Sequence, residues 1–252
     1  MSNEIPETRQ ASPEDDLVAS ILEHLPTETE ISVVVPSKGK PYFKGKEGLI
    51  NLRPIKFGDE KEIATGGRGA DFNAANLLLN KCVLNVESED LLLVDKLFLL
   101  LKIREISYGN DYVVPVPCNN CTFENTLNLE LDQLEVVSIP DDLDVFNMSV
   151  NLKGIQKEAV VTAPLVSEEK YLYSTNIQKD LWRFVKSIDG HESRAVIAKV
   201  MPQLPVADIH RLINALSLTD YGVQPQIRYT CDSCKNDNLI ALPIDENFFS
   251  VT

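Results

Sequence analysis

Two Cys-x-x-Cys pairs, Cys118-Asn119-Asn120-Cys121 and Cys231-Asp232-Ser233-Cys234, hold four of the chain's five cysteines. Two residues between thiols let both sulfurs converge on one ion, as in the knuckles of structural zinc sites. Four cysteine ligands close the tetrahedron and leave no position for water or substrate. Such a site holds a fold together and does not perform hydrolysis. The stretch between the pairs, about 110 residues, exceeds the roughly 15–20 of a compact ribbon. One Zn2+ held by Cys118, Cys121, Cys231 and Cys234 would therefore tie the middle of the chain to its C-terminal end. The alternatives are two reduced thiol pairs without metal, a disulfide in each pair, or two separate two-cysteine sites bridging to another chain. A thioredoxin-like redox pair fits poorly, because neither pair opens a helix after a strand. Neither knuckle has the glycine that often follows the second cysteine; Thr122 and Lys235 stand there instead. Cys82, among Leu77, Leu78, Leu79, Val83 and Leu84, reads as a buried small apolar residue.

The flanking residues supply the elements that must position these thiols. Val113 to Pro117 leads into the first pair, and Thr126 to Leu131 follows it with period-two alternation. Gln226 to Thr230 leads into the second pair, and Leu239 to Leu242 follows. Each copy predicts strand, knuckle, strand: a hairpin with the ligands at its turn. Other strands are expected over Ile31–Val35, Leu49–Ile55, Ser149–Leu152 and Glu158–Thr162.

The first dozen residues read as disordered. Helices are expected after Ser12, capped there and stopped by Pro26, over Asp71–Cys82, and from Ser88 to about Ser107. The last of these is apolar over most of its circumference and reads as the central core helix, ended by Gly109. Asp95 and Arg104 on it are expected to make structural polar contacts at its flanks. Further helices are expected from Ser167 to about Ser174, over Lys179–Ile188 and Ser193–Met201, and over Asp208–Leu216 with Asp208 as cap. The fold class is α+β: short strands and hairpins with helical segments, in two related halves closed by a shared four-cysteine zinc site. The divisions are an acidic arm with a short amphipathic helix (1–30), a half with the first knuckle (31–140) and a half with the second (141–252).

Charge and motif content exclude several function classes. A net charge of −14 argues against nucleic acid, because tracking phosphates needs clustered Lys and Arg. No apolar run approaches the ~18–20 residues of a bilayer span, and the N-terminus lacks a basic-then-apolar signal pattern. A soluble protein of a cytosol-like compartment is expected. His24, His191 and His210 lack metal-ligand spacing with one another. There is no Gly-x-Ser-x-Gly elbow, and Thr65-Gly66-Gly67-Arg68-Gly69 lacks the Gly-Lys-Ser/Thr ending of a phosphate loop. His210 reads as a surface helix residue. No catalytic constellation stands out.

Three groups of segments together resemble the baseplate hub assembly proteins of T4-like contractile-tailed phages. The first is Val35-Pro36-Ser37-Lys38-Gly39-Lys40-Pro41-Tyr42 followed by Leu52-Arg53-Pro54-Ile55-Lys56. The second is Val94-Asp95-Lys96-Leu97 with Ile103 to Gly109, upstream of Cys118 and Cys121. The third is Tyr221-Gly222-Val223, then Cys231 with Cys234, then Asn247-Phe248-Phe249. The resemblance spans about residues 31–250 and leaves the acidic arm outside. It implies a non-enzymatic assembly chaperone or baseplate hub component that binds phage baseplate hub or tail proteins. It would act in the host cytoplasm during assembly or in the virion tail baseplate. The competing class is a metal- or dithiol-dependent enzyme that uses the four paired cysteines. In the arm, Leu17, Val18, Ile21, Leu22 and Leu25 form an apolar face for docking on a partner or on the protein's own domain.

Overall fold

The computed structural model describes residues 13–22, 30–65, 71–172, 177–244 and 246–249. The first dozen residues, the Ser12 cap, the Pro26 stop, Leu25, His24, most of the Thr65–Gly69 loop and the helix end at Ser174 lie outside them. The N-terminal segment contributes α1 (Pro13–Leu22), β1 (Ile31–Val33), β2 (Ile50–Leu52), α2 (Phe57–Thr65), α3 (Asp71–Cys82) and α4 (Leu93–Tyr108). The first knuckle hairpin is β3 (Asp111–Pro117) and β4 (Glu124–Glu130), followed by β5 (Val136–Val137), β6 (Met148–Leu152) and β7 (Lys157–Val161). After α5 (Glu169–Leu172) and α6 (Ile177–Asp180) come β8 (Val185–Ile188), α7 (Arg194–Val200), α8 (Val206–Ser217) and β9 (Gly222–Val223). The second knuckle hairpin, β10 (Gln226–Thr230) and β11 (Asp237–Ala241), is followed by a 3-10 turn over Glu246–Phe249. Among the described residues all strand pairs are antiparallel: β1–β2, β3–β4, β5–β9, β10–β11 and the three-stranded β6–β7–β8. This is the expected α+β architecture of short hairpins and helices.

Alternation dictates the strands. β3 buries Tyr112, Val114 and Val116 while Val113 faces out, and β10 buries Ile227 and Tyr229 in the same way. The interior has three apolar clusters. The first packs Ile50, Leu52, Leu78, Leu79 and Cys82 under α4. The second packs β6, β7 and β8 against Leu212 and Leu216 of α8. The third joins the two knuckle hairpins through Tyr112, Val114, Val116, Ile227, Tyr229 and Phe248. Helix α4 serves more than one of them, with Leu99 and Ile103 in the first and Leu101 in the third. The expectation of a central core helix is met in that sense.

The structure corrects several expectations. The central helix begins at Leu93, not Ser88. Ser88–Asp90 is a separate 3-10 turn, and Leu91 and Leu92 are extended. Their backbones turn to a neighbouring segment: Val166 N donates to Leu91 O at 2.8 Å, and Leu93 N donates to Pro164 O at 3.0 Å. Residues Val185–Ile188 form a strand instead of continuing a helix, because the β-branched Val185 and Ile188 pair with β7. Asp208 does not cap α8; Pro205 occupies the cap position. The Asp208 carboxylate lies fully buried, accepting the Gly154 N–H at 2.9 Å and pairing with Arg211 at 2.5 Å. Gly109 has the expected positive φ, 93°, but its ψ of 173° is outside the left-handed helical region.

Asp95 and Arg104 are interior groups rather than flank groups. Asp95 accepts the Ser37 N–H at 2.9 Å, the Ser37 hydroxyl at 2.5 Å and the Tyr42 hydroxyl at 2.5 Å. Burial pushes its pKa up, against the pull of those donors. Arg104 donates to Gly109 O at 2.7 Å and Asp111 O at 3.0 Å, and its guanidinium lies over the rings of Tyr112 and Phe248. Opposite them in character, Leu17, Val18 and Ile21 of α1 are 62%, 54% and 59% exposed.

Candidate metal centre

Each thiol pair sits in the turn between two strands, as the flanking alternation predicts. In the first knuckle Cys118 N donates to Phe123 O at 2.9 Å and Thr122 N to Cys118 O at 3.0 Å. In the second, Cys231 N donates to Asn236 O at 2.9 Å and Lys235 N to Cys231 O at 3.0 Å. The two turns are therefore built alike. Thr122 and Lys235, in the places where glycine is missing, both adopt the left-handed conformation with φ 58°, a backbone that costs an L-residue about 1–2 kcal/mol.

All four sulfurs lie within 4.8 Å of one another. The Cys118 and Cys234 sulfurs are 3.6 Å apart and those of Cys121 and Cys231 are 3.7 Å apart. A tetrahedron with Zn–S bonds of about 2.3 Å has S···S edges of about 3.8 Å. Donor chemistry, number and spacing thus all fit a closed zinc site within one chain. No other group of metal-binding side chains comes together among the described residues. His191 and His210 are exposed and stand outside the cluster.

The electrostatics favour the metal-binding form at part of the cluster. The N–H groups of Cys121 and Asn120 bring Cys118 down to about 6, and the Cys234 N–H lowers Cys231. The Phe123 N–H favours the Cys121 thiolate, yet the Cys234 thiol, burial and the other thiols push it up to about 11. Four thiolates so close repel one another, and a divalent cation is what allows all four to ionise together.

Two residues missed in the sequence complete the centre. Asn125 and Asn238 are buried, and each links the two knuckles. Asn125 Oδ1 accepts the Asp232 N–H at 2.9 Å, and Asn238 Oδ1 accepts the Asn119 N–H at 3.1 Å. A signal was present: both pairs read Cys-x-x-Cys-x-x-x-Asn.

Over residues 28–250 the chain matches the family model described as T4 bacteriophage base plate protein. The chain belongs to this family. No curated protein and no solved structure matches it. The matched span takes in both knuckles, and the segments behind the resemblance meet around α4. Ser37 and Tyr42 of the first segment converge on Asp95 of the second. Phe248 of the third covers Arg104, and Tyr108 donates to Phe249 O at 3.0 Å. No helix among the described residues is long and apolar enough to cross a membrane. Family membership makes the protein a phage baseplate structural protein, with phage tail or baseplate proteins as its partners.

Proposed function

We propose that this baseplate protein is a non-enzymatic hub assembly factor, either an assembly chaperone or a retained hub component, that carries one structural Zn2+. The observation that carries the reading is the closed four-thiol cluster, which staples two hairpins from distant parts of the chain and leaves no coordination position for a substrate. Cys118, Cys121, Cys231 and Cys234 hold the ion, and its chemistry is binding energy that becomes folding energy. The protein works by protein–protein contact with hub or tail proteins, in the host cytoplasm during assembly and, as a component, in the virion baseplate. It runs from the partner-seeking arm (1–30) through the 31–140 and 141–252 segments whose hairpins meet at the metal.

Metal analysis with a thiol-reactivity assay tests the chemistry. One zinc per chain with inert thiols supports the reading. Exchangeable dithiols without metal would instead support the enzyme that uses the four cysteines. Mass spectrometry of purified particles beside assembly intermediates separates chaperone from component, since a chaperone is present only in the intermediates.

A further inference from the structure

We propose that Asn125 and Asn238 are the positioning residues of the metal centre, a reciprocal clamp that sets the two knuckles against each other so that their four thiolates meet one ion. The inference rests on the zinc reading above and adds two residues to it.

The case is the two-fold repetition of one hydrogen-bond pattern. Each asparagine stands four residues after the second cysteine of its own pair. Each accepts the backbone N–H of the residue that follows the first cysteine of the other pair: Asp232 for Asn125, Asn119 for Asn238. Each uses its amide N–H to hold its own turn, Asn125 donating to Phe123 O at 3.1 Å and Asn238 to Asn236 O at 2.9 Å. Those two carbonyls are the ones that accept the Cys118 and Cys231 N–H groups. One side chain therefore fixes its own turn and docks the opposite turn in the same stroke. Asn125 and Asn238 are 2% and 5% exposed, so water does not substitute for either bond.

The residue type matters. A side chain that both accepts and donates is needed, and an amide does so without charge. A carboxylate would accept equally well but would lose the donor and add negative charge beside four thiolates. The clamp departs from two-fold symmetry at Asn238 Oδ1, which also lies 3.6 Å from the Cys118 thiol and accepts the Asn236 amide at 3.4 Å. Apolar packing between the hairpins is non-directional, and outside the turns the Tyr229 hydroxyl donates across to Pro117 O at 2.8 Å. The clamp bonds are directional: two run between the turns that carry the sulfurs, and two fix each asparagine within its own turn.

Competition with a chromophoric chelator on the zinc-loaded full chain tests this. Asn125→Ala and Asn238→Ala are each expected to weaken zinc affinity roughly 10- to 100-fold, the range seen when groups supporting metal ligands are removed. Val114→Ala, which loosens the same hairpin cluster without touching either turn, gauges the loss that hairpin stability alone passes on to zinc binding and should lower affinity less than either asparagine variant. Cobalt substitution adds a spectroscopic readout: the asparagine variants should show an altered ligand-field band where Val114→Ala does not. Affinity loss equal in all three variants would reduce the asparagines to ordinary stabilising residues and overturn the proposal. If the asparagine variants do not fold, hydrogen exchange in the zinc-loaded wild type decides: slow exchange of the Asn119 and Asp232 amides supports the clamp, and exchange at unstructured rates overturns it. A wild type that binds no zinc removes the underlying reading together with the clamp, whereas a wild type with one zinc and unaffected asparagine variants removes the clamp alone.

Discussion

Two of the polar centres among the described residues that join distant segments are stabilised in opposite ways. At one, Asp95 on α4 gathers the Ser37 N–H, the Ser37 hydroxyl and the Tyr42 hydroxyl, while Tyr42 in turn accepts the Leu92 N–H at 2.8 Å. Every partner is supplied by the protein, and Tyr42 packs against both the first and the second apolar cluster. At the other, four thiols with mutually opposed ionisation stand together, a set we propose to be completed by an ion from outside. The Asp95 centre forms with the chain itself, whereas under the proposed zinc reading the hairpin module is stable only as far as metal is available.

Metal loss should produce the largest effect. Chelation, or Cys118→Ser, is expected to abolish amide protection in β3, β4, β10 and β11 while β6, β7 and β8 remain protected, because the latter pack in a separate cluster. Cys118→Ser should cost more than about 3 kcal/mol with zinc present, against on the order of 1 kcal/mol for the buried Cys82→Ala. Hydrogen exchange and thermal unfolding measure both. Equal losses in the two variants would show that the thiol cluster is not structural.

Asp95→Ala comes next, at about 3 kcal/mol, since it strands three buried donors. Its hairpin module should keep zinc, which a chelator assay reports. The pH dependence has a definite sign. Burial holds the folded pKa of Asp95 above its unfolded value, so its contribution is fully present below the unfolded value of about 3.9 and declines as pH rises through the folded value. Urea unfolding should therefore show the wild type's advantage over Asp95→Asn greatest in acid and shrinking toward neutrality. An advantage that grows with pH would contradict this account of the buried carboxyl.

Smaller effects sharpen the contrast from the other direction. Thr122→Gly and Lys235→Gly relieve left-handed backbone in the two turns and should each raise the zinc-loaded protein's stability by about 0.5–1 kcal/mol. Denaturant titration would reveal a loss instead if the Thr122 hydroxyl, which donates to Cys121 O at 2.7 Å, matters more than the strain. Deleting residues 1–26 should change stability least, by less than about 0.5 kcal/mol, because Leu17, Val18 and Ile21 are exposed. The same truncation is expected to weaken capture of purified hub proteins. A truncated protein that loses thermal stability yet captures them as well as the full chain would make the arm structural.

Local chemistry was readable along the chain. The thiol spacing, the strands leading into each knuckle over Val113–Pro117 and Gln226–Thr230, and the helix over Asp71–Cys82 follow from residue type and spacing within short windows, and the structure has them where expected. The arrangement of those pieces was not readable. Leu91 and Leu92 have helix-forming side chains but give their backbones to residues 164–166. Val185–Ile188 becomes a strand because β7 lies beside it. Asp208 looks like a helix cap and is a buried acceptor for Gly154. The convergence of Cys118 with Cys234, and of Asn125 with Asp232, spans more than a hundred residues. Spacing within each pair specifies a ligand knuckle, but only tertiary packing decides which knuckle it faces, because the bonds that orient it come from the far end of the chain.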